Sequence, residues 1–323
     1  AQYELDVNNR LIHEELSYDC SKLEIESNKL YAQLNNDQRT AFHSIINSVL
    51  NNEPNIFFVN AHGGTGKTFL WNTIIAYLRA QRKIVLTVAS SGVASLLLPK
   101  GRTAHSRFRI PIDLDKLSIC DIKRGTKLAY LILNTDLIIW DETPMTNKQC
   151  FEALDRSLRD INSEKESKLQ NVPFGGKVVV LGGDPKQILP VIENGTRAQI
   201  INASIFRSYL WKYAKKIYLH ENMRLKKLDA NTTDYKELNN FNQWILSIGN
   251  GDTKSNTKSD ANDISDCITV EIPDDLLIKQ ADNKIEALVN STFPDFISNY
   301  NDPEYLKNRA ILVTTNEIVD ELN

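Results

Sequence analysis

Residues 61–68 (AHGGTGKT) are the part of the sequence that most constrains the fold. They follow an apolar run at residues 56–59 and open a helical pattern at residues 67–79. Glycines between a strand and a helix let the backbone curl, so that main-chain N–H groups and the helix N-terminus face an anion. The segment therefore predicts a phosphate-binding loop, in which Lys67 reaches the β- and γ-phosphates of ATP and the Thr68 hydroxyl ligates Mg²⁺.

The same loop supplies the residues that we expect to contact the nucleotide. These are Gly63, Gly64, Thr65, Gly66, Lys67 and Thr68. The usual eight-residue pattern begins with glycine, whereas this chain has Ala61. Because alanine is small, we expect the turn to stay intact.

Short apolar runs and helical patterns alternate along the chain. Further apolar runs occupy residues 84–89, 137–140, 177–181, 217–219 and 310–313, and further helical patterns occupy residues 37–50 and 148–160. Continuous apolar strands that alternate with helices are typical of a parallel sheet covered on both faces. The sequence thus predicts a doubly wound α/β fold.

Polar side chains follow two of these predicted strands. Asp141 and Glu142 come directly after residues 137–140, and Gln187 follows residues 177–181. Because the carboxyl ends of parallel strands line one crevice, we expect these groups to meet the nucleotide phosphates. Asp141 is the candidate to hold Mg²⁺, Glu142 to orient and deprotonate the attacking water, and Gln187 to sense the γ-phosphate or the attacking water. An Asp-Glu pair alone is usually a surface feature, and the preceding loop gives this one its weight.

Arg224 follows the strand predicted at residues 217–219. Its guanidinium suits the stabilisation of transition-state charge, as an arginine finger does. The alternative is a structural ion pair with a nearby acid, which is a common arrangement at protein surfaces. The sequence leaves both interpretations open.

Composition narrows the class of protein. The chain has four cysteines, at positions 20, 120, 150 and 267, without the close pairs that zinc or redox sites need, so we expect reduced intracellular thiols. No stretch approaches the roughly 18 to 20 apolar residues that span a bilayer. The net charge is -3, yet residues 79–127 contain eleven Lys or Arg against three Asp. Such a stretch suits the phosphates of a nucleic acid or a solvated surface, and both remain open.

Together these segments resemble the petite-integration-frequency (Pif) helicases, the branch of superfamily 1B related to RecD that moves 5′ to 3′. The resemblance spans residues 34–323, with the ordered motifs LNNDQ, AHGGTGKT, ASSGVAS with GRTAHSRF, DETPM, GGDPKQILPV, ENMR and AILVTTNEIVDELN. Pro185 departs from the family pattern, because an aromatic residue is frequent there, and a stacking role at this position is not expected.

The resemblance implies a RecA-like P-loop NTPase with a parallel sheet flanked by helices. It places Gln38 at the position of an adenine-reading glutamine. It also implies that single-stranded DNA contacts Ser90, Ser91, Thr103, His105, Ser106 and Phe108. Two of these have structural alternatives, since Phe108 would equally suit the core and His105 a buried, hydrogen-bonded position.

The resemblance further implies a domain organisation. Residues 1–33 form an N-terminal segment, and residues 34–225 form the first RecA-like ATPase domain, with a small wedge insert at about residues 107–135. Residues 226–265 form a helical connection and polar linker, and residues 266–323 begin a second RecA-like domain. The family continues with an SH3-like insert and two late motifs, so we expect a fragment truncated before them.

The function that the resemblance implies is that of an ATP-dependent DNA helicase. It would use ATP and Mg²⁺ to move 5′ to 3′ on single-stranded DNA and to open duplex junctions, as a monomer in the nucleus or mitochondrion, without a membrane partner. DNA repair, recombination and telomere maintenance are compatible settings. Two alternatives remain: a fragment that binds nucleotide and single strands with little turnover, and another P-loop ATPase, such as a clamp loader or an RNA-directed helicase.

Overall fold

The computed structural model describes residues 9–227, 232–252, 270–278 and 282–323 of the 323-residue chain. The chain divides into two compact units, Ala1–Gly249 and Asn250–Asn323. This division falls inside the segment that the sequence predicts to connect two domains, residues 226–265. Residues 228–231 and 253–265 of this predicted connection and polar linker lie outside the described residues.

Strands and helices alternate along much of the first unit. The strands are β1 (Ile56–Ala61), β2 (Val85–Ala89), β3 (Arg102–Thr103), β4 (Leu137–Asp141), β5 (Val178–Gly183) and β6 (Ala214–Leu219). The helices are α1 (Arg10–Leu16), α2 (Cys20–Ala32), α3 (Asn36–Leu50), α4 (Lys67–Ala80), α5 (Gly92–Leu96), α6 (Ala104–Phe108), α7 (Lys127–Leu133), α8 (Lys148–Asn162), α9 (Arg197–Ala203) and α10 (Thr233–Asn250). Short 3-10 helices cover Thr143–Met145, Ser167–Asn171, Pro173–Gly176, Ile205–Arg207, Tyr209–Tyr213 and Leu225–Lys227. In the part of the chain that the structure describes, no helix combines the length and apolar character needed to cross a membrane.

The six strands form one parallel sheet in the order β3-β2-β4-β5-β1-β6. Strand β1 lies between β5 and β6, and its Ile56 is opposite Val179 on one side and Ala214 on the other. The five apolar runs predicted as strands in this unit are all strands. The predicted parallel sheet flanked by helices is therefore confirmed, and the segments that leave the strands share one carboxyl edge.

Alternate residues of the strands enter two apolar clusters, one on each face of the sheet. Phe58 and Trp140 pack with residues of α6, α7 and α8. Phe57 and Ile139 pack with residues of α3 and α4. Burying a large apolar side chain of this kind contributes about 1.5–3 kcal/mol. Burial on both faces explains why the strands are continuous apolar runs rather than alternating ones.

A buried carboxylate ties α1 to two other helices. Glu15 lies 3.0 Å from Arg107 and 3.5 Å from Arg79, and all three side chains are at most 5% exposed. Arg79 lies in the last turn of α4, the helix that begins at Lys67, and Arg107 lies in α6. Helix α1, which lies in the predicted N-terminal segment, is thus joined to α4 and α6 by an ion-paired triad.

Lys177, just before β5, carries a partly buried cation whose ammonium is held by main-chain oxygens. Its Nζ donates to the carbonyls of Leu133 and Thr135, both at 2.9 Å. Burial, reinforced by the neighbouring Lys165, lowers the pKa of Lys177 to about 7. The folded state therefore binds this proton less tightly than the unfolded chain does.

We expect the contribution of Lys177 to stability to increase with pH. The unfolded lysine keeps its proton up to about pH 10.4, whereas the folded one releases it near pH 7. Raising the pH through this window therefore removes a cost that only the folded state carries. In wild type, Lys177 should raise the free energy of unfolding by an amount on the order of 2 kcal/mol between about pH 7 and pH 10, and this increase should be absent in Lys177→Met.

Urea unfolding at both pH values measures this difference. Lys168→Met is the control, because Lys168 is exposed and pairs only at the surface with Glu166. Equal pH dependence in wild type and Lys177→Met would contradict the expected role of Lys177.

Residues 270–278 and 282–323 of the second unit contain short helices joined by turns and extended segments. These helices are a 3-10 helix (Asp274–Leu276), α11 (Lys284–Thr292), α12 (Phe296–Asn299), α13 (Pro303–Lys307) and α14 (Asn316–Leu322). The strand predicted at residues 310–313 is wrong, since no strand occurs in these two ranges. A strand needs a neighbour for its main-chain hydrogen bonds, and no described segment of this unit supplies one. Ile311 and Val313 instead line an apolar cavity of about 400 Å³. That residues 266–323 begin a second RecA-like domain stays a prediction.

Candidate nucleotide-binding site

The glycine-rich loop after β1 borders a cavity of about 450 Å³ at the carboxyl edge of the sheet. Gly64 and Gly66 have φ angles of 89° and 80°, which glycine adopts without a steric penalty. The loop therefore turns sharply into α4, and the first N–H groups of that helix face the cavity side. Predicted residues that line the cavity are Gln38, Gly63, Gly64, Gly66, Lys67, Thr68, Glu142, Gln187 and Arg224, and Ala61 joins them.

Thr65 is placed differently from the rest of the predicted loop residues. It is fully buried, and its hydroxyl donates to the carbonyl of His62 at 2.8 Å. Its N–H donates to the same carbonyl at 3.3 Å. Thr65 thus stabilises the turn through its two hydrogen bonds to His62. Its buried side chain does not match the prediction that it contacts the nucleotide.

Gln38 braces the loop with both ends of its side-chain amide. Its Nε2 donates to the Thr65 carbonyl at 3.1 Å, and its Oε1 accepts from the Asn35 N–H at 3.1 Å within a capping box at the start of α3. A Cβ at Gly66 would lie 2.5 Å from Nε2, so a side chain there would displace the amide. Contact between Gln38 and an adenine base, as predicted, requires an exchange of these bonds.

Lys67 lies between the two predicted carboxylates. Its Nζ is 2.8 Å from Asp141 Oδ1 and 2.9 Å from Glu142 Oε1. Burial alone would lower the pKa of Lys67, but the two carboxylates outweigh burial and raise it. The lysine is therefore a fixed positive charge at neutral pH, next to the space that a phosphate would occupy.

Gly182, near the end of β5, makes this arrangement possible. A Cβ at this position would lie 2.5 Å from the Trp71 ring, 3.0 Å from Asp141 Oδ1 and 3.4 Å from Lys67 Cδ. A side chain here would collide with the Trp71 ring and crowd the Asp141 carboxylate, so glycine keeps the space beside the Lys67–Asp141 pair open. The sequence analysis missed this role, although the double glycine before Asp184 was the available signal.

Glu142 has a strained backbone. Its φ and ψ are 54° and 44°, in the left-handed region that residues other than glycine rarely adopt. Such conformations cost on the order of 1–3 kcal/mol and are concentrated at functional sites. Here the turn separates the directions of Asp141 and Glu142, so that both carboxylates reach Lys67 from one strand end.

Asp184 orients the predicted glutamine. Asp184 is 7% exposed, and its carboxylate accepts from the Lys186 N–H at 3.1 Å and from Gln187 Nε2 at 3.3 Å. The amide of Gln187 is thereby held at the cavity wall. Sequence reasoning named Gln187 but not the aspartate that positions it.

The segment with Arg224 is hydrogen-bonded to the phosphate-binding loop. The Met223 N–H donates to the Gly64 carbonyl at 2.8 Å, and the Arg224 N–H donates to Asn222 Oδ1 at 3.0 Å. Asn222 in turn donates to Asn242 of α10 at 3.0 Å. Arg224 is exposed and lines the same cavity.

The residues predicted to contact single-stranded DNA lie along the ends of β2 and β3. Ser90 and His105 line a second cavity, of about 310 Å³. Ser91 and Thr103 cap α5 and α6 by accepting N–H groups, and Ser106 is exposed on α6. Burial lowers the pKa of His105, but the residue as a whole is exposed, against the alternative of a buried structural histidine.

Phe108 cannot stack on a base in this structure, so that prediction is wrong. Its side chain is completely buried, and its ring lies 6.3 Å from that of Trp140. The short helix α6 carries Phe108 on its inner face, where burying an aromatic ring is strongly favourable. The alternative interpretation, a core aromatic residue, is the one that the structure supports.

Several Lys and Arg side chains of the basic stretch at residues 79–127 make polar contacts within the first unit. Five of its cations have such contacts: Arg79 and Arg107 with Glu15, Lys83 with Asp136, Lys100 with the Glu14 carbonyl, and Arg124 with Asp160. The local charge counted from sequence therefore overstates the charge available to a nucleic acid.

The family follows from a match along most of the chain. Residues 33–259 match the family model of PIF1-like helicases. The chain belongs to the PIF1-like helicase family. ATP-dependent DNA helicase Pif1 of Campylobacter jejuni is 32% identical over 164 residues, covering 48% of this chain and 34% of that protein. The Psychrobacter Pif1 is 31% identical over 178 residues, covering 54% and 26%. This PIF1-like chain thus spans about a third or less of the length of these relatives.

Solved structures show the same fold. Bacteroides Pif1 bound to ssDNA matches with a TM-score of 0.50 at 23% identity, covering 68% of this chain and 46% of that one. Pif1 helicase from Candida albicans matches with a TM-score of 0.50 at 24% identity, covering 67% and 44%. The RecA-like architecture predicted for this PIF1-like protein is confirmed. The family match begins at residue 33, so α1 and α2 lie before it.

Proposed function

We propose that the protein is the motor of an ATP-dependent DNA helicase that moves 5′ to 3′ on single-stranded DNA and opens duplexes. The observation that carries this proposal is the position of Lys67 between Asp141 and Glu142, in one cavity with Gln187 and Arg224. Family membership supports the DNA substrate, because the named relatives are ATP-dependent DNA helicases.

The residues of the cavity divide the chemistry among them. Lys67 and the loop N–H groups would bind and orient the β- and γ-phosphates. Glu142 would accept the proton of the attacking water, Gln187 would orient that water, and Arg224 would balance the charge that develops on the transferred phosphoryl group. Because Lys67 and Glu142 are held by their ion pair and Gln187 by Asp184 before any ligand arrives, these groups need little reorganisation during the reaction.

Thr68 and Asp141 are the residues that would hold Mg²⁺. Their hydroxyl and carboxylate oxygens are the hard donors that this ion prefers, and Mg²⁺ commonly uses one or two protein ligands together with substrate phosphates. Asp141 fits this role because it is only 5% exposed and its carboxylate is already directed at the cavity lysine. When bound, the ion would neutralise phosphate charge.

The test is a comparison of duplexes that carry a 5′ or a 3′ single-stranded tail. Wild type should hydrolyse ATP faster with single-stranded DNA and should unwind only the duplex with the 5′ tail. Glu142→Gln should lower turnover by about 10²-fold or more, the loss typical for a general base, while ATP analogue binding persists in isothermal titration.

Glu164→Gln is the matched control, because Glu164 is also a part-exposed, ion-paired carboxylate but lies beside Arg124. Unwinding from the 3′ tail alone would contradict the polarity. Equal stimulation by RNA and DNA would favour an RNA-directed ATPase. Binding of ATP analogue and single strands without turnover in wild type would favour the binding-fragment alternative.

A further inference from the structure

Thr146 connects the second cavity to the nucleotide site through one serine hydroxyl. Thr146 Oγ1 donates to Ser90 Oγ at 2.6 Å, and Ser90 Oγ donates to the Asp141 carbonyl at 3.3 Å. Trp140 Nε1 also donates to Ser90 Oγ, at 3.1 Å. A hydroxyl has one proton and two acceptor positions, so the hydroxyl of Ser90 is fully used. Ser90 is therefore poorly suited to the direct phosphate contact predicted for it.

Thr146 itself faces the cavity of about 310 Å³. The polar part of the cavity wall includes His105, Asn147 and Gln149, and its apolar part includes Ile112 and Met145. Imidazole and amide groups suit phosphate and sugar oxygens, and apolar side chains suit the face of a base. Ile112 is 92% exposed, so an apolar side chain of the cavity wall is open to solvent.

We propose that this cavity binds one nucleotide unit of single-stranded DNA, and that Thr146 is the positioning residue through which its occupation reaches Asp141. This inference rests on the proposed function. The hydroxyl of Thr146 has a single proton, which Ser90 accepts in this structure. If Thr146 donates that proton to a phosphate oxygen, Ser90 loses a donor and regains an open acceptor position.

The hydroxyl pair therefore has two discrete arrangements, which is the physical requirement for coupling two sites. A change at the hydroxyl of Ser90 can reach Lys67 through Asp141 alone. Ser90 contacts the Asp141 carbonyl through both its hydroxyl and its N–H, the latter at 3.2 Å. The Asp141 carboxylate in turn contacts Lys67 at 2.8 Å.

The test is Thr146→Val, which keeps the shape of the side chain and removes its proton. The measured quantity is the ratio of ATPase rates with and without oligothymidylate, together with the oligothymidylate concentration for half-stimulation. We expect the ratio to fall by at least about fivefold, the lower end of typical coupling between sites, and Thr146→Ser to restore it.

A double-mutant cycle separates coupling from general damage to the fold. Ser90→Ala should lower the same ratio, and Thr146→Val combined with Ser90→Ala should cause little further loss, because both changes break one path. Thr135→Val is the matched control, since Thr135 is another threonine whose hydroxyl donates a hydrogen bond. Its acceptor is the main-chain carbonyl of Leu131, and it lies before the other end of β4. It should keep the wild-type ratio.

Full stimulation of Thr146→Val, or an equal loss in Thr135→Val, would overturn the inference alone. Additive losses in the double variant would also overturn it. If wild type itself shows no stimulation by oligothymidylate, the proposed function fails and the inference fails with it, so the two failures are distinguishable.

Discussion

ATP hydrolysis by Lys67→Ala is expected to be at least about 10²-fold slower than by the wild-type protein, the loss typical when one preorganised charge is removed from a transition state. The side chain is held by Asp141 and Glu142 at 2.8 and 2.9 Å, and the carboxylates keep its pKa raised. Its charge is therefore already in place when phosphates enter. Without it, the two carboxylates would repel the incoming phosphate chain.

Steady-state hydrolysis with saturating single-stranded DNA measures this effect. Lys83→Ala is the matched control. Lys83 pairs at 3.1 Å with Asp136, which lies just before the amino end of β4, whereas Asp141 lies at its carboxyl end. This substitution removes a lysine from a more exposed Lys–Asp pair at the opposite edge of the sheet and should keep turnover within about twofold, because such pairs contribute little. Turnover by Lys67→Ala close to that of wild type would contradict the nucleotide site itself.

The second large effect is on stability and comes from Glu15. We expect Glu15→Ala to lower the free energy of unfolding by about 3–5 kcal/mol, because it leaves the buried guanidinium groups of Arg79 and Arg107 without their counter-charge. The cavity left by the missing side chain adds to the loss. Urea or thermal unfolding, followed by circular dichroism, measures the change.

Glu14→Ala gives a control from the adjacent residue. Glu14 pairs at 2.6 Å with Arg10, whose side chain is 84% exposed, and the Glu14 side chain itself is 39% exposed. Its removal should change stability by at most about 0.5 kcal/mol. If the two variants unfold at the same urea concentration, α1 is not anchored by the triad. A loss in Glu15→Ala alone would show that a segment before the family match stabilises the first unit.

Local patterns in the sequence were sufficient for the strands and for the nucleotide site. The run before Ala61 is a strand, the helix begins at Lys67 as predicted, and Asp141 and Glu142 meet Lys67. These features depend on residues within a few positions of each other and on the rule that parallel strands end at one edge. The roles assigned to the individual site residues stay predictions until the variants are measured.

Features set by distant partners could not be read in the same way. Phe108 is buried beside Trp140, and the charges of Arg79 and Arg107 are balanced by Glu15. Neither partner lies in the same local pattern. The apolar run at residues 310–313 is locally strand-like, but a strand also needs a neighbour, which periodicity does not report.

The strand pairing sets the order in which the ATP site can form. Strand β1 lies between β5 and β6, and Ile56 has its partners at Val179 and Ala214. The loop that follows β1 is therefore made early by the ribosome but gains its flanking strands only after most of the first unit has emerged. Pairings between such distant segments slow folding and leave apolar strands exposed in the meantime. We expect a nascent chain that ends before β6 to lack nucleotide binding, and its exposed strands to be a target for chaperones during synthesis.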